Sequence, residues 1–280
     1  MSTSISLITG IPRSGTTLCC KLLNQREDLV ALHEPINPAR LHQNLGRPGA
    51  TFRVKTLIAE LCQAVEQGLP FEHGDRGGLQ IENPVGLVEQ DGKRQVVAQR
   101  GQVILPARAS GTFRLVVKQN ALFTALLSGL TAEYPMTAVV RNPVDVLLSW
   151  MTVDLPVNRG RLPAGERFSP ALRQSLQQVS SVFERQLMIY RWFIQQFMRH
   201  ELPLVRYEDV LASGGAVLDQ TMGLPPVSRP ALAPQPRQFS PQVLQMLAAH
   251  RQSVVRLAEL GLYSEADIVQ ALDNVLNPTI

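Results

Sequence analysis

The chain has 280 residues, of which 45% are hydrophobic and 18% are charged. This balance is typical of a globular protein with a buried core and excludes a disordered chain. Its 27 basic and 23 acidic residues leave a net charge of +4. That small, evenly spread excess suits an anionic ligand and gives no basic stripe for nucleic acid. No apolar run reaches the roughly 18 residues of a membrane helix, and no signal-peptide pattern opens the chain. We therefore expect a cytoplasmic protein with no nucleic acid or membrane partner.

The cysteines and histidines do not form a pattern that binds metal. Cys19, Cys20 and Cys62 show no disulfide-framework spacing, which indicates a reducing compartment. The first two fall in an apolar helical pattern, so we expect them in the core. The five histidines are scattered without ligand spacing. The sequence therefore predicts no metal site.

The first predicted unit is a strand, a glycine-containing turn and a helix. Residues 5–9 form a short apolar run that ends at Gly10, which is typical of a buried strand entering a tight turn. From Thr16 onward apolar residues recur at helical spacing. This order places the turn at the end of a strand and at the start of a helix.

Further strands and helices alternate along the chain. Apolar runs predict strands at 115–117, 136–140 and 203–207, and helical periodicity predicts helices from Pro143, over 170–200, and from Ser240 to about Gly261. Asn142 and Pro143 are suited to the N-cap and first position of their helix. This alternation predicts a single α/β domain over residues 1–280, with a central parallel sheet flanked by helices.

Residues 74–111 differ from this pattern. The stretch holds many glycines and charges with short alternating apolar pieces. We interpret it as an inserted hairpin or a mobile flap. Residues 225–236 are rich in proline and predict an extended surface segment.

Residues 10–17, with the sequence GIPRSGTT, are the most informative segment. Between a strand and a helix, such a loop presents free backbone N–H groups and a helix N-terminus to an anion. Gly15 permits a close approach of the backbone, and Ser14, Thr16 and Thr17 add hydroxyl donors. We therefore predict a phosphate-binding loop.

The loop differs from that of kinases and NTPases. A Walker loop needs a lysine after its second glycine, to reach the β and γ phosphates. Here Thr16 holds that position, and the positive charge lies earlier, at Arg13. This favours a shorter anion, with one phosphate and one further charged group.

These residues resemble the sulfotransferase family that uses 3′-phosphoadenosine 5′-phosphosulfate (PAPS). Residues 12–17 look like its 5′-phosphosulfate loop, in the arginine version seen in protein-tyrosine and many bacterial members. Residues 139–150, VVRNPVDVLLSW, are similar to its second motif, in which an arginine and a later serine bind the 3′-phosphate. The resemblance implies those roles for Arg141 and Ser149. Residues 204–210 resemble a third segment, which implies a place near the adenine for Tyr207.

The resemblance also implies the P-loop-like sulfotransferase fold and PAPS as co-substrate, with 3′,5′-ADP as product. Two family features differ in this chain. Leu18 replaces the tryptophan that stacks on adenine in cytosolic small-molecule members. The glycine-rich basic segment that closes over the nucleotide in those members has no clear match near the C-terminus.

Candidate catalytic residues lie outside the loop. Sulfuryl transfer needs a base to take the proton of the attacking group, and Glu34 or His33 suits this role after the first helix. The resemblance favours Glu34, because some relatives carry a glutamate base at a comparable distance after the loop. Lys118 ends a predicted strand, where related enzymes place a lysine facing the transferring group. There, with Arg13, it would stabilise the leaving oxygen.

The sequence therefore predicts transfer of a sulfuryl group from PAPS to a hydroxyl or amine of a small-molecule acceptor, without a metal. Alternatives are a P-loop kinase or NTPase, and a nucleotide-binding protein without catalytic activity. A basic nucleic-acid-binding protein is a third alternative. The acceptor and the oligomeric state stay open.

Overall fold

The computed structural model describes residues 2–74, 85–90, 93–97, 99–234 and 237–277. At its centre lies a sheet of five parallel strands in the order β2-β7-β1-β8-β9. These strands are β1 (Ser4–Gly10), β2 (Leu29–His33), β7 (Arg114–Lys118), β8 (Met136–Val140) and β9 (Leu204–Arg206). Two antiparallel pairs lie outside the sheet, and they join β3 (Phe71–His73) to β6 (Gly101–Val103) and β4 (Val85–Gln90) to β5 (Lys93–Val96). The α/β fold with a parallel sheet is as predicted.

Helices cover the sheet and connect its strands. They are α1 (Thr16–Leu23), α2 (Arg47–Gln67), α3 (Ala121–Ala125), α4 (Leu127–Leu130), α5 (Pro143–Met151), α6 (Pro163–Phe168), α7 (Pro170–Gln178), α8 (Val182–Arg199), α9 (Tyr207–Ala212), α10 (Ala216–Thr221), α11 (Pro241–Ala249), α12 (Arg251–Val255) and α13 (Glu265–Leu276). Short 3₁₀ helices span Pro38–Arg40, Pro156–Arg159 and Arg256–Leu260. Within the described ranges, no helix is both long and apolar enough to cross a membrane.

The sheet separates two hydrophobic cores, because successive side chains of a strand point to opposite faces. In β7, Leu115 and Val117 pack into the larger core, whereas Val116 packs into the smaller one. The larger core holds side chains of α2, α5 and α8, and the smaller one holds those of α1, α9 and α10. Cys19 and Cys20 are fully buried in the smaller core. Burial on both faces explains why these strands are continuous apolar runs in the sequence.

The helix predicted over 170–200 is interrupted. It forms α7 and α8, separated at Val179, whose backbone is extended. The Ser181 hydroxyl accepts a hydrogen bond from the backbone N–H of Glu184 and so caps α8. Because the Ser181 side chain caps the start of α8, it competes with continuation of α7 into one long helix. Helical periodicity in the sequence does not reveal this break.

The C-terminal helix was also predicted as one piece. Ser240 does cap α11, as expected, but the segment up to Gly261 consists of α11, α12 and a 3₁₀ turn. Gly261 adopts a left-handed conformation, with φ of 73°, at the end of that turn. The predicted start and end are therefore confirmed, and the continuous helix between them is wrong.

The insert predicted over 74–111 falls in part on residues 75–84, 91–92 and 98, which lie outside the described residues. In its described part, β4 and β5 form an antiparallel pair. The backbone of Arg94 in β5 is joined to the end of α5, donating to the Thr152 carbonyl at 3.0 Å and accepting from the Asp154 N–H at 3.1 Å. This pair therefore contacts the helix that carries Ser149.

Candidate functional site

All five strands of the sheet end beside a residue that the sequence predicts in the site. In sheet order these are Glu34 after β2, Lys118 at the end of β7, the loop from Gly10 after β1, Arg141 after β8 and Tyr207 after β9. The carboxyl ends of parallel strands share one edge of a sheet, which is where α/β proteins place their ligands. The predicted residues therefore meet along a single edge.

The loop after β1 exposes the start of α1. Gly15 occupies the N-cap position and, having no side chain, leaves the first N–H groups of the helix without the usual side-chain cap. Arg13 and Gly15 both have positive φ, of 74° and 89°. For Arg13 this conformation is strained, and such strain commonly lies in ligand-binding loops. The loop thus has the uncapped helix start that an anion site needs.

Two constraints favour glycine at position 15, namely its positive φ and the close Tyr207 ring. A Cβ atom at this position would lie 2.2 Å from Cδ2 of Tyr207. The guanidinium carbon of Arg141 lies 4.3 Å from the centroid of the same ring, within cation–π range. The Tyr207 ring therefore contacts the loop and Arg141, and it links the two predicted motifs.

A direct hydrogen bond also joins the two motifs. Nε of Arg13 donates to Oγ of Ser149 at 3.2 Å, although 136 residues separate them. One residue further on, Nε1 of Trp150 donates to the carbonyl of Pro12 at 2.8 Å. Two bonds therefore hold the loop against the last turns of α5.

The hydroxyls of the loop take different positions. Oγ of Ser14 is buried and donates to the Val139 carbonyl at 2.8 Å, so it holds the loop to β8. Thr16 is also buried, whereas Thr17 is half-buried. The Ser14 backbone N–H also donates within the loop, to the Ile11 carbonyl at 3.0 Å, so Ser14 sets the shape of the loop.

One face of α5 presents polar side chains to this region. Asp145, Ser149 and Thr152 lie four and three residues apart, which places them on the same side of the helix. Asp145 forms a 3.1 Å ion pair with Nη2 of Arg141, while Ser149 accepts from Arg13. Nη2 of Arg94 donates to Oγ1 of Thr152 at 3.2 Å. Three arginines from separate segments thus bind this one face.

Arg237 completes an arginine cluster that we define as Arg13, Arg94, Arg141 and Arg237. Nη1 of Arg237 is buried and has no hydrogen-bond partner among the described residues. Sequence reasoning missed Arg94 and Arg237. Arg237 follows the proline-rich segment, and an isolated arginine there gives no local signal. Arg94 lies in the insert, far from both motifs in sequence.

The members of the arginine cluster are close enough to disfavour one another's charge. Burial first, and then the charges of Arg94, Arg237 and Arg141, lower the pKa of Arg13 to about 10. The pKa of Arg237 is lowered to about 10 by burial and by Arg141 and Arg94, against the opposing effect of Asp145. Four positive charges face one nearby carboxylate, so an anionic ligand would relieve their repulsion.

Glu34 lies at the other end of the same edge and is held on both carboxylate oxygens. Nζ of Lys118 donates to Oε1 at 2.7 Å, and Nε2 of Gln119 donates to Oε2 at 2.8 Å. The backbone N–H of Glu34 bonds the Lys118 carbonyl at 2.9 Å. Lys118 and Gln119 are buried, whereas 28% of the Glu34 side chain is exposed. Of these groups, the Glu34 carboxylate is the one reachable from solvent.

His33 is buried directly before Glu34. Burial first, and then the charges of Lys118, His73 and Arg100, lower the pKa of His33 to about 2. Nδ1 of His33 has no partner within the described parts of the chain. A neutral, buried ring is a poor candidate for the base, since Glu34 is more exposed at the same strand end.

Among residues that the structure describes, no group of three or more His, Cys, Asp or Glu side chains could hold a metal ion. The described site is therefore built from arginine, lysine, amide and hydroxyl donors, with Glu34 and Asp145 as its carboxylates. Such donors bind anions rather than cations.

No protein-family model matches the chain, and no curated protein matches it. A solved sulfotransferase from Alicyclobacillus acidocaldarius is similar to it, with a TM-score of 0.43 and 11% identity over 100% of this chain and 98% of that one. Sulfotransferase STF1 from Mycobacterium tuberculosis H37Rv has a TM-score of 0.37 and 14% identity over 100% of this chain and 77% of that one. Neither likeness is close enough to decide an activity, so the function of this chain must be argued from its own residues.

Proposed function

We propose that this protein is a sulfotransferase, formed by one domain over residues 1–280, which moves the sulfuryl group of PAPS to a hydroxyl or amine of a small-molecule acceptor. The observation that supports this most strongly is the contact between the two motifs. Arg13 of the loop bonds Ser149, and Arg141 stacks on the ring that touches Gly15. A nucleotide with anionic groups at both its 5′ and 3′ positions would span this contact.

The chain's donors fit such a nucleotide in number and charge. In this proposal the loop N–H groups and Arg13 hold the 5′-phosphosulfate, while Arg141 and Ser149 hold the 3′-phosphate. The arginine cluster carries four positive charges, and Nη1 of Arg237 is buried with no hydrogen-bond partner in the described part of the chain. PAPS carries about four negative charges, since each phosphate or phosphosulfate group brings one to two. Tyr207 would form a wall near the adenine.

Glu34 is the proposed base. Each carboxylate oxygen has two lone pairs, so the bonds from Lys118 and Gln119 leave one on each oxygen for an acceptor proton. The acceptor oxygen or nitrogen attacks sulfur in line, and its proton passes to Glu34. The bond between sulfur and the bridging oxygen breaks, and 3′,5′-ADP leaves with the electron pair.

Lys118 serves two groups in this mechanism. Its ammonium has three N–H donors, and one of them is used on Glu34. The other two are available for the bridging oxygen, where negative charge develops as sulfur departs. Preorganised donors at such a position are typically worth about 3–4 kcal/mol of transition-state stabilisation. Arg13 supports the same charge from the loop.

A cavity next to Glu34 has the size for a small acceptor. Its wall begins at Pro35, the residue after Glu34, and its volume is about 340 Å³. Leu57, Leu61 and Phe71 line it together with polar Asn37 and Glu72. This volume lies at the lower end of the range of roughly 300–1,000 Å³ for small-molecule sites. We propose it as the acceptor pocket.

Binding and turnover test the proposal separately. Calorimetry should show that 3′,5′-ADP binds the wild type, that 5′-AMP binds at least tenfold more weakly, and that Arg141→Ala removes this difference. A labelled-PAPS screen over phenols, alcohols and amines should then find transfer. Glu34→Gln should lower turnover by on the order of 10²–10⁴-fold without changing 3′,5′-ADP binding. The exposed Glu259→Gln is the control.

The alternatives give different results in the same assays. Hydrolysis of ATP with magnesium, and no binding of 3′,5′-ADP, would indicate a kinase or NTPase. Tight 3′,5′-ADP binding with no transfer to any acceptor would indicate a nucleotide-binding protein without catalytic activity. An Arg141→Ala variant that binds 3′,5′-ADP as the wild type does would overturn the assignment of the 3′-phosphate site.

A further inference from the structure

A second, larger cavity lies outside the residues of the proposed active site. It has a volume of about 1,010 Å³ and lies between the start of α2, the junction of α6 and α7, and the second half of α8. None of the residues that line it belongs to the phosphate loop, the arginine cluster or the Glu34 group. It is therefore a separate feature that the proposed function does not use.

The charges that line this cavity have one sign. They belong to Arg47, Arg167, Arg191 and Arg199, with the titratable ring of His200 beside them, and none of the described lining residues is Asp or Glu. The whole chain has 27 basic and 23 acidic residues, so a lining without a single carboxylate differs from the average surface. A cavity walled by charges of one sign concentrates ions of the opposite sign.

Two of the arginines that line the cavity already have partners in the protein. Arg167 donates to the carbonyls of Pro38 and Leu41, so it forms part of the wall. Arg191 faces the exposed Glu259 at 4.0 Å. The arginine and histidine lining groups left with N–H donors for a ligand are Arg47, Arg199 and His200.

Arg47, at the start of α2, and Arg199 and His200, at the end of α8, all line this cavity. Nε of Arg47 donates to the Phe168 carbonyl at 2.5 Å, and within the described chain its terminal nitrogens have no hydrogen-bond partner. The Arg199 side chain has no ion-pair partner in the same ranges. Burial lowers the pKa of His200, and the charges of Arg199 and Arg47 lower it further, so both guanidinium groups act on this ring.

We propose that this cavity binds a small ligand through a sulfate or phosphate group held by Arg47, Arg199 and His200. Guanidinium groups match the geometry of tetrahedral oxyanions. The other polar lining residues include Ser128, Ser169 and Gln195, which suit a hydroxylated ligand rather than an apolar one. This site does not depend on the proposed sulfotransferase activity.

The pKa of His200 can be used to detect an anion bound in this cavity. A bound oxyanion would oppose the field of the two arginines and raise the pKa of His200 towards the ordinary value of about 6.5. NMR of protein labelled at its histidines, with His200→Gln for assignment, can follow this ring during a titration with inorganic sulfate. Sulfate that binds the distant arginine cluster does not affect this local signal.

We expect sulfate and phosphate to shift the His200 signal saturably, and the double variant Arg47→Gln, Arg199→Gln to weaken that binding at least tenfold. The exposed Arg173→Gln, on α7 but lining neither cavity, should bind sulfate as the wild type does. Sodium chloride at equal ionic strength controls for screening. A chloride shift equal to that of sulfate, or unchanged binding in the double variant, would overturn the site. Acetate binding as tightly as sulfate would overturn the ligand class.

Discussion

Glu34 is held in an uncommon backbone conformation by hydrogen bonds to its neighbours. Its φ is 49°, which is uncommon for a residue other than glycine. Two side-chain donors and one backbone bond hold it there. A residue kept in a strained conformation by its surroundings is pre-positioned, so substitutions of those neighbours should affect the proposed chemistry more than the fold.

Gln119 is a positioning residue for Glu34 that sequence reasoning did not single out. We expect Gln119→Glu to shift the acid limb of the pH–rate profile to higher pH. A second carboxylate beside Glu34 disfavours its ionised form, which is the form that accepts a proton. The pH dependence of kcat with PAPS measures this shift.

Gln119→Met, which removes the donor without adding charge, should lower kcat by roughly tenfold and leave 3′,5′-ADP binding intact. An unchanged profile in both variants would contradict this role.

The lowered pKa of His33 should make the free energy of unfolding depend on pH. Its pKa in the folded chain is about 2, and it is about 6.5 when unfolded. Protonation therefore favours the unfolded state, so the stability from this group is complete above pH 6.5 and is lost as pH falls below it. Between pH 7.5 and 5.5 the free energy of unfolding should decrease by about 1.4 kcal/mol through His33.

Urea unfolding at the two pH values measures this difference. His33→Gln should reduce it, because glutamine does not titrate. The exposed His42→Gln is the matched control and should retain the full pH dependence. A His33→Gln variant with the same pH dependence as the wild type would show that another group is responsible.

The residues of the site were predictable where they form local motifs. Arg13, Arg141 and Ser149 lie in short segments whose spacing carries the signal, and the structure brings them together. Arg94 comes from the insert, and Arg237 follows the proline-rich segment. Their proximity is a product of the fold, and no single-sequence pattern encodes a contact between such separated segments.

At the level of elements, the loop after β1 and helix α5 behave as one unit. Pro12 and Arg13 bond Trp150 and Ser149 of the helix, and the Tyr207 ring of α9 closes over Gly15. The position of the loop relative to Arg141 and Ser149 is therefore set by direct contacts. A change in the loop should disturb both.

Gly15→Ala tests this unit, with Gly223→Ala as its matched control. Both glycines have positive φ, of 89° and 66°, so alanine costs about 1–2 kcal/mol of backbone strain at each. A Cβ at Gly223 meets nothing within 4 Å, whereas one at Gly15 meets the Tyr207 ring. We expect Gly15→Ala to unfold at lower urea concentration than Gly223→Ala and to bind 3′,5′-ADP at least tenfold more weakly. Equal effects would contradict the packing argument.

The elements themselves were predicted unevenly. The strand–loop–helix unit and the Asn142 cap were found, because glycine, proline and asparagine mark their boundaries. Strand β2 and the long helix α2 were not predicted. Like the predicted strands β7 and β8, β2 has only five residues, and such short runs are ambiguous between strand and helix.

At the scale of the whole molecule, the arginine cluster stores electrostatic repulsion in the folded state. A ligand that neutralises it binds the folded chain but not the unfolded one. At 100 times its Kd, 3′,5′-ADP should raise the free energy of unfolding by about 2.7 kcal/mol and Tm by about 5 °C. Thermal unfolding monitored by circular dichroism measures this increase.

Adenosine, which lacks both phosphates, should leave Tm unchanged in that experiment. Sodium chloride should reduce the stabilisation by 3′,5′-ADP, because salt weakens ion pairing at partly exposed groups. An equal increase in Tm with adenosine would show that the base, rather than the charged groups, provides the binding energy.

The two adjacent buried thiols of α1 can be used to follow opening of the smaller core. Cys19 and Cys20 have no exposed surface, and burial raises the pKa of Cys20 to about 12. Only a thiolate reacts readily with alkylating or disulfide reagents. Modification of this pair therefore requires the smaller core to open, so its labelling rate tracks opening of the native state rather than the chemistry of the sulfur.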